Sequence, residues 1–394
     1  MRQVLTPRLI LVSLGHFTVD AYGSFFSPLL PLLVAKLHLN LTLVGSLVAL
    51  AAVSSSFSQP LFGWLSDRVQ RPWFVAFGPL VAAVFLSSVG LAPTYGALVA
   101  LLMLGGIGVA SFHPQAAVLA SDLSPRRALA MSIFVTGGTL GFALGPLFAV
   151  TVVGAAGLER TWIAALPGLL VAALLLAWFI RVTPRSRHAG RLPALAELRP
   201  VLRPLTLLYF AVVSRSAVSY GFMTFLPIRL HQHGFSVAAG GALLTAHLAL
   251  GALGGFFGGW LSDRWGGRRV VIASFLSAAP LYFAFLFLPD VPGLVALMAG
   301  GFLLQTSLPV NVVLGQELSP RHSSTISSLL MGAAWGVGAL LIGPIGALAD
   351  AHGLTPALAV LACMLVVGFG CALALPRAGK VTAEALAPSP AATA

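Results

Sequence analysis

Charged side chains are scarce in this chain of 394 residues, since Asp, Glu, Lys and Arg together make up only 8% of it. A water-soluble globular protein carries about 25% charged residues, because its surface has to stay hydrated. Hydrophobic residues make up 58% of the chain, and its mean hydropathy is +0.97. The shortage of charge argues against a soluble protein and predicts a surface that faces lipid.

Residue types and motifs that carry covalent or metal chemistry are also rare. The two cysteines, Cys363 and Cys371, lie about 12 Å apart along one predicted helix, which is too far for a disulfide. The two lysines, Lys36 and Lys380, do not belong to a phosphate-binding Walker loop. We find no metal-spaced His/Cys set and no nucleophile motif. These absences argue against an ATP-driven pump or a membrane enzyme, and we expect no cofactor apart from coupling protons; a solute sensor is a more remote alternative.

Twelve apolar runs, separated by charged or Pro/Gly-rich breaks, dominate the sequence. A run of about 20 residues crosses the hydrocarbon core as a helix, whereas barrel strands would show about ten residues of alternating hydropathy. The predicted spans are 9–36, 41–65, 73–92, 95–120, 128–154, 160–181, 203–229, 237–261, 270–288, 293–316, 323–349 and 355–375. We therefore predict an all-α integral membrane protein with twelve transmembrane helices.

Lys and Arg residues are distributed unevenly over the predicted loops. With the N-terminus in the cytoplasm, eighteen of the 22 fall on the cytoplasmic side, and only Lys36, Arg160 and Arg229 fall on the other. Positive residues are retained on the cytoplasmic side of membranes. The bias predicts that both termini are cytoplasmic, and it explains the formal net charge of +12 without a nucleic-acid partner.

The two halves of the chain repeat each other at an offset of 195 to 198 residues. The segment GWLSDR at 63–68 returns at 259–264, LSPR at 123–126 returns at 318–321, and Gly-Pro at 145–146 returns at 343–344. Such a repeat predicts two six-helix bundles related by a pseudo-twofold axis normal to the membrane. The predicted division is 1–182 for the first bundle, 183–202 for a cytoplasmic linker, 203–379 for the second bundle and 380–394 for a disordered tail.

The repeated loop resembles the signature motif of the major facilitator superfamily, which reads Gly, any, Leu, any, Asp, Arg, any, Gly, Arg, Arg or Lys. The matching residues are Gly63, Asp67, Arg68 and Arg71 in the first copy and Gly259, Asp263, Arg264 and Arg268 in the second. Gln70 stands where the second glycine of the motif usually stands. The resemblance implies the major facilitator fold, with spans one, four, seven and ten around a central cavity, and transport of a small molecule by alternating access. One such chain encloses its own pathway, so we expect a monomer.

Within that superfamily the chain resembles the fosmidomycin-resistance branch of drug-efflux proteins, which exchange substrate for protons. The matching segments are His16 and Asp20 in span one, Phe112-His113-Pro114 in span four, and Ser132-Ile133-Phe134 before Gly137-Gly138 in span five. Gln115 stands where relatives can carry a carboxylate, and Leu102 near the position of an arginine common in proton antiporters. The resemblance implies proton-coupled efflux of a small, anionic, drug-like compound across the bacterial cytoplasmic membrane. Proton-coupled import of an anionic nutrient is the alternative.

Ionisable residues inside the spans are the candidate coupling groups, because each costs a few kcal/mol or more to place in lipid. Asp20 lies twelve residues after Arg8, about 18 Å along a helix and therefore near mid-bilayer. His16 is one helical turn before Asp20, and His113 precedes Pro114 in span four. We predict that Asp20, His16 and His113 carry the coupling protons. The alternative is a structural role, in which His113 bonds a carbonyl freed by the proline.

Arg215 is predicted to lie near the middle of span seven. A guanidinium keeps its proton and can bind a phosphonate or carboxylate through two hydrogen bonds. We predict that Arg215 binds an anionic substrate and that His113, Gln305 and Asn311 contribute further contacts. The alternative is a permanent ion pair with Asp20, which the superfamily resemblance places across the cavity.

Two further sets of residues are predicted to govern the conformational change. The gating motif at the cytoplasmic span ends is expected to form locks between arginines and carboxylates, or else a merely solvated face. Its members are Gly63, Asp67, Arg68, Arg71, Asp122, Gly259, Asp263, Arg264, Arg268 and Glu317. The helix-packing motif, in which small residues allow close approach of helices, comprises Gly141, Gly145, Pro146, Gly343 and Pro344. His247 is expected to have a packing role.

Overall fold

The computed structural model describes residues 6–66, 68, 72–124, 127–179 and 198–376, and the regular elements in this part of the chain are helices. Twelve segments are long and apolar enough to cross a membrane. They are α1 (Pro7–Leu37), α2 (Leu41–Ser66), α3 (Trp73–Leu91), α4 (Tyr95–Asp122), α5 (Ala130–Ala156), α6 (Leu158–Phe179), α7 (Arg199–Gln232), α8 (Val237–Trp265), α9 (Gly267–Phe287), α10 (Val291–Leu318), α11 (Thr325–His352) and α12 (Leu354–Ala374). These segments confirm the twelve predicted spans. Residues 183–197 of the predicted linker and the predicted tail lie outside the described residues.

Large apolar side chains cover much of the outer surface of these helices. Phe256, Val291 and Phe287 are 76%, 70% and 69% exposed. In water such side chains would form apolar patches that promote aggregation, whereas lipid tails are as apolar as the side chains themselves. The exposed surface therefore fits a chain that is surrounded by lipid.

Several segments change their helical pitch along their length, and in three of them the change lies inside the segment rather than at its end. A 3₁₀ turn at Ser27–Leu29 interrupts α1, and π turns occur at Val53–Phe57 in α2 and Leu329–Ala333 in α11. The segment α10 is divided between two α-helices, one over Asp290–Gln305 and the other over Ser307–Leu318. Such irregular turns are frequent at functional positions of helices.

The described chain forms two compact units. Unit 1 comprises residues 1–189, 220–252 and 339–358, and unit 2 comprises residues 190–219, 253–338 and 359–394. Unit 1 therefore combines α1 to α6 with parts of α7, α8, α11 and α12 from the second half of the sequence. The division of the chain into two bundles joined by a linker stays a prediction.

Within unit 1, α1 and α5 approach until their backbones touch. A Cβ atom added to Gly141 would lie 2.0 Å from the carbonyl oxygen of Phe17, and one added to Gly145 would lie 2.2 Å from that of Ala21. No side chain fits at such distances, so only glycine permits this packing. The structure thus places two residues of the helix-packing motif at the α1–α5 contact, which holds α5 against the central part of α1.

Candidate functional site

Asp20, His16 and His113 meet at one point inside unit 1. Nε2 of His16 lies 3.2 Å from Oδ2 of Asp20, and Nε2 of His113 lies 3.1 Å from Oδ1. The side chains of His16, Asp20 and His113 are 9%, 20% and 25% exposed. The structure therefore brings together the three residues predicted to carry protons, with one imidazole on each carboxylate oxygen.

The two histidines reach Asp20 from different helices. His16 lies four residues before Asp20 on α1, and this spacing puts both side chains on one face of a helix. His113 comes from α4, and its Nδ1 lies 2.8 Å from the carbonyl oxygen of Val109. Pro114 removes the helical donor to a different carbonyl, that of Ala110. His113 thus bonds the carbonyl one residue before the one that the proline frees, and a structural role of the ring stays the alternative.

The ring of His16 is held by α5. Its Nδ1 lies 2.8 Å from the carbonyl oxygen of Phe134. The imidazole also stacks on the Phe134 ring, with 4.1 Å between the ring centroids and an interplanar angle of 23°. Each histidine thus has its Nδ1 on a backbone carbonyl and its Nε2 on Asp20.

Gly138 on α5 makes room for this cluster, a role that sequence reasoning missed. A Cβ atom at Gly138 would lie 2.4 Å from Nε2 of His16 and 2.6 Å from Oδ2 of Asp20. The sequence signal was the spacing, because Gly138 follows Phe134 by one helical turn and so shares its face. Gly138 is therefore a positioning residue for the Asp20 cluster, in addition to its place in a run of small residues.

We expect Gly138→Ala to reduce proton-driven transport at least about tenfold. A methyl group there would displace the side chains of His16 and Asp20 by about 1 Å, and a misplacement of this size can lower a rate by two orders of magnitude. Gly154→Ala is the matched control on the same helix, since a Cβ atom at Gly154 would meet nothing within 4 Å. Initial rates of transport in vesicles, normalised to the amount of folded protein, provide the measurement. Equal rates for the two variants would contradict the positioning role.

Gln115, at a position where this chain departs from its resemblance, caps a helix. Its Oε1 accepts hydrogen bonds from the backbone N–H groups of Phe74, at 2.9 Å, and Val75, at 3.3 Å. These groups lie in the first turn of α3, where backbone donors have no partner within the helix. An amide oxygen satisfies them as a carboxylate oxygen would, so the site does not require a charge.

Arg215 forms a second polar site, in unit 2. The side chain is only 2% exposed, and its Nη1 donates to Oε1 of Gln305 at 3.0 Å. Its Nη2 donates to Oγ of Ser216 at 3.2 Å, and its Cζ lies 5.0 Å from the centre of the Trp335 ring. Arg215 and Gln305 are thus in contact, as two members of the predicted substrate site. Trp335 was not predicted as part of this site, although an isolated tryptophan in an Ala/Gly-rich span is a recognisable sign of a functional position.

Asn311 on α10 is almost completely buried, at 1% exposure. Neither its Oδ1 nor its Nδ2 has a hydrogen-bond partner within the part of the chain that the structure describes. An unsatisfied buried amide costs about 1–3 kcal/mol, so a molecule that supplied a donor and an acceptor there would be stabilised. His247, for which a packing role was expected, is buried at 6% exposure.

The arginines of the gating motif stack on tryptophans in both halves of the chain. Cζ of Arg68 lies 3.7 Å from the centre of the Trp64 ring, and Cζ of Arg264 lies 3.9 Å from that of Trp260. The internal repeat of the sequence is therefore also a repeat of cation–π contacts, each between residues four apart. Asp67 and Arg71 lie outside the described residues.

The remaining members of the gating motif have varied surroundings. Arg268 donates to the carbonyl oxygens of Leu375, at 2.7 Å, and Leu373, at 2.6 Å, which ties α9 to the end of α12. Asp263 and Glu317 form no ion pair with another described residue. Among the arginines whose side chains the structure describes, none forms the expected lock with these two carboxylates.

At the opposite ends of the helices, α11 holds the first turn of α2. Oδ1 of Asp350 accepts from the N–H of Leu41 at 2.8 Å, and Oδ2 accepts from the N–H of Thr42 at 2.8 Å. The Thr42 hydroxyl donates to Oδ2 as well, at 2.5 Å. A carboxylate is well suited to this place, because the N-terminus of a helix has free donors and a partial positive charge. Asp350 escaped prediction because its partners are about 300 residues away in the chain.

Glycines bring α2 and α11 together beside Asp350. A Cβ atom at Gly45 would lie 2.2 Å from the carbonyl oxygen of Ile342, and one at Gly346 would lie 2.1 Å from that of Leu41. At Gly343, which belongs to the predicted helix-packing motif, a Cβ atom would have no neighbour closer than 3.8 Å. The close approach of α11 is thus one turn away from the predicted glycine.

A second contact of this kind joins α5 and α8 within unit 1. The N–H of Leu147, which follows Pro146, donates to Oγ1 of Thr245 at 3.0 Å. A Cβ atom at Gly241 would lie 2.4 Å from a methyl carbon of Val150. Helices from the two sequence halves are therefore packed closely at both of these places.

Comparisons with known proteins agree with this architecture. The family model of the Major Facilitator Superfamily matches residues 12–341 and 208–393. An uncharacterised MFS-type transporter of Bacillus subtilis, YfnC, is 30% identical over 381 residues, which cover 92% of this chain and 91% of that protein. The fosmidomycin resistance protein of Escherichia coli is 28% identical over 353 residues, which cover 86% of this chain and 85% of that protein.

Solved structures show the same fold at low sequence identity. A bacterial homologue of the human lysosomal transporter Spinster, in an inward-facing and occupied conformation, matches with a TM-score of 0.79 and 19% identity, covering 93% of this chain and 95% of that one. The nucleoside transporter NupG matches with a TM-score of 0.72 and 14% identity, covering 94% of this chain and 99% of that one. From the family model, the relatives and the fold, the chain belongs to the Major Facilitator Superfamily of transporters.

Proposed function

We propose that this transporter exports a small, anionic, drug-like compound in exchange for protons, by alternating access. The observation that carries the proposal is the Asp20 carboxylate between His16 and His113, with one imidazole on each oxygen atom. Ionisable groups inside membrane spans are rare, because placing them there is expensive, and they mark substrate or proton pathways. Carboxylates and imidazoles are the side chains that relay protons in pumps and transporters.

Arg215 is the proposed anchor for the anionic group of the substrate. Its guanidinium lies against the face of Trp335, with Gln305 and Ser216 as hydrogen-bond partners. Both of these partners are neutral, so an anion that displaced them would gain a charge-assisted hydrogen bond. We propose Gln305, Asn311 and His113 as further contacts. The chain would act as a monomer, with protons as its coupling ions and neither another cofactor nor a nucleic-acid partner.

Relatives support efflux and also favour one alternative. The fosmidomycin resistance protein, at 28% identity over 86% of this chain, is the basis for proposing a phosphonate-like drug. A probable 4-methylmuconolactone transporter of Cupriavidus pinatubonensis is 28% identical over 346 residues, which cover 82% of this chain and 78% of that protein. The second candidate function is import of a small anionic nutrient by proton symport.

The contacts at the two ends of the helices are the proposed gates. By the distribution of positive charge, we place both termini and the Arg68 and Arg264 ends of the helices in the cytoplasm of a bacterial cell. The contact of Asp350 with Leu41 and Thr42 then forms a latch on the far side of the cytoplasmic membrane. We propose that this latch opens, and that the cytoplasmic arginines and carboxylates pair, when the transporter exposes its site to the outside.

We expect Asp350→Ala to favour the conformation in which the far side is open. The substitution removes three hydrogen bonds to a charged group, each of which contributes about 1.5–3 kcal/mol, so opening should increase at least about tenfold. The measurement is the rate at which a membrane-impermeant thiol reagent labels Ser46→Cys beside the α2–α11 contact, in a protein whose two native cysteines are replaced.

Glu159→Gln is the control for this prediction. Glu159 is also an acidic residue near a helix end, but its side chain is 80% exposed, and its ion pair with Lys36 at 3.3 Å is within the first half of the chain. Labelling in the control should stay at the unmodified rate. An unchanged labelling rate with Asp350→Ala would contradict the proposal that the contact of Asp350 with Leu41 and Thr42 is a gate.

The proposed direction and coupling are tested with inside-out membrane vesicles and radiolabelled fosmidomycin. Acidifying the lumen should drive uptake of the drug, because protons leaving the lumen are exchanged for substrate. A symporter would instead take up substrate when the outer solution is acidified. Uptake that ignores the proton gradient would contradict both candidates, and no uptake of fosmidomycin would contradict the proposed substrate.

A further inference from the structure

The tautomers of His16 and His113 follow from what their Nδ1 atoms contact. Each Nδ1 lies 2.8 Å from a backbone carbonyl oxygen, that of Phe134 for His16 and that of Val109 for His113. A carbonyl oxygen only accepts hydrogen bonds, so both Nδ1 atoms must carry a proton. In the neutral form of each ring, Nε2 is then a bare acceptor.

Both bare nitrogens face the same carboxylate. Nε2 of His16 lies 3.2 Å from one oxygen of Asp20, and Nε2 of His113 lies 3.1 Å from the other. An ionised carboxylate also only accepts hydrogen bonds. Two acceptors repel at such a distance unless a proton lies between them. Each of the two contacts therefore needs one proton, either on the imidazole or on the carboxyl group.

We infer that the cluster of Asp20, His16 and His113 holds two exchangeable protons in this conformation and that the transport cycle exchanges two protons for each substrate. The inference rests on the proposed proton coupling and adds its stoichiometry. One carboxylate and two added protons give the loaded cluster a charge of +1, and release of both protons leaves −1. The cycle thus changes the charge of the site by two.

The helices around Asp20 supply few other groups that could hold these protons. The segments α3 and α5 contain no ionisable side chain, and α6 contains only Glu159 and Arg160, in its first turn. The other ionisable residues of α4, Tyr95 and Asp122, lie at its two ends. On α1 itself, Tyr22 donates its hydroxyl proton to the carbonyl oxygen of Ala164 on α6. Among the described residues, the ion-pair partners of the Asp20 carboxylate are His16 and His113.

Glutamine at either histidine position separates proton binding from hydrogen bonding. The amide nitrogen of glutamine can take the place of Nε2 and donate to Asp20, but its protons do not exchange with the transport cycle. His16→Gln and His113→Gln should each lower the number of exchangeable protons from two to one. A merely structural role would leave the count unchanged while lowering stability or rate.

The count can be measured without any substrate. Full-length protein in lipid nanodiscs, labelled with ¹⁵N in its histidine rings and ¹³C in its aspartate carboxyl groups, is titrated by NMR between about pH 5 and pH 9. The two glutamine variants assign the signals of His16 and His113. At each pH the spectra report the protons on the two Nε2 atoms and on the Asp20 carboxyl group.

We expect both rings to keep a proton on Nδ1 throughout, and the sum over the three groups to fall from two to zero as the pH rises. In either glutamine variant the sum should fall from one to zero. A neutral ring with its proton on Nε2, or a sum that never exceeds one, would overturn the inference. The proposed function would still stand after that result if substrate uptake into inside-out vesicles responds to a proton gradient. If uptake does not respond to the gradient, the proposed function is wrong, whatever the number of protons on the cluster.

Discussion

Asparagine in place of Asp20 is expected to lower proton-driven accumulation of substrate at least about 100-fold, the scale on which a positioned proton-transfer group acts. The amide keeps the shape of the carboxyl group and can still bond one imidazole through its oxygen and the other through its nitrogen. Because shape and hydrogen bonds are kept, the fold and the substrate site should remain, whereas the amide cannot take up and release a proton. Exchange of labelled for unlabelled substrate across the membrane, which needs no net proton movement, should therefore persist in Asp20→Asn.

The control is Glu159→Gln, the same chemical change at a side chain that is 80% exposed. Both variants are compared in vesicles by uptake of radiolabelled substrate under an imposed proton gradient and by exchange without a gradient. Glu159→Gln should retain both activities. If Asp20→Asn still accumulated substrate in response to the proton gradient, Asp20 would not be the coupling group.

Removal of the guanidinium in Arg215→Ala is expected to weaken binding of anionic substrates about 10- to 100-fold, because a hydrogen bond to a charged group contributes about 1.5–3 kcal/mol. Neutral analogues should lose no more than about threefold, since they have no charge to place against Arg215. The side chain is buried and stacked on Trp335, so the fluorescence of this tryptophan offers a direct binding signal in a protein whose six other tryptophans are replaced by phenylalanine. The measurement is the dissociation constant for an anionic probe and its neutral ester.

Arg229→Ala is the matched control, because Arg229 lies on the same helix and is also mostly buried, at 9% exposure, with a hydrogen bond to Thr355. It should leave the preference for the anionic probe over its neutral ester unchanged. Equal losses of affinity for the two probes in Arg215→Ala would show that the arginine supports the fold rather than an anion.

The twelve spans could be predicted from the sequence because lipid imposes one simple requirement, a helix about 20 apolar residues long. The pairing of His16 with Asp20 followed from their spacing of one helical turn, which needs no tertiary structure. The position of His113 beside them was accessible only through the family resemblance, since α4 lies about ninety residues further along the chain. The spacing of residues along the sequence therefore predicts contacts within one helix, but not contacts between helices.

Two of the missed features depend on how helices pack against each other. Gly138 matters because α5 packs on α1 at the level of Asp20. Its spacing from Phe134 puts both residues on one face of α5, but does not tell which helix that face contacts. The same applies to Asp350, whose partners Leu41 and Thr42 begin a helix in the other half of the sequence. A further missed feature is local, because Arg68 and Arg264 each stack on the tryptophan four residues earlier in the sequence.

Proton-coupled exchange is the central claim, and the most direct test is to let the substrate drive the proton. Proteoliposomes are loaded with fosmidomycin and a pH-sensitive dye, and are then diluted into drug-free buffer without a proton gradient. Outflow of the drug through an antiporter must bring protons in, so we predict that the lumen becomes acidic, whichever way the protein is oriented in the liposome, and that Asp20→Asn abolishes the change. A lumen that becomes alkaline would establish symport instead of exchange, and drug outflow without any change in pH would contradict proton coupling altogether.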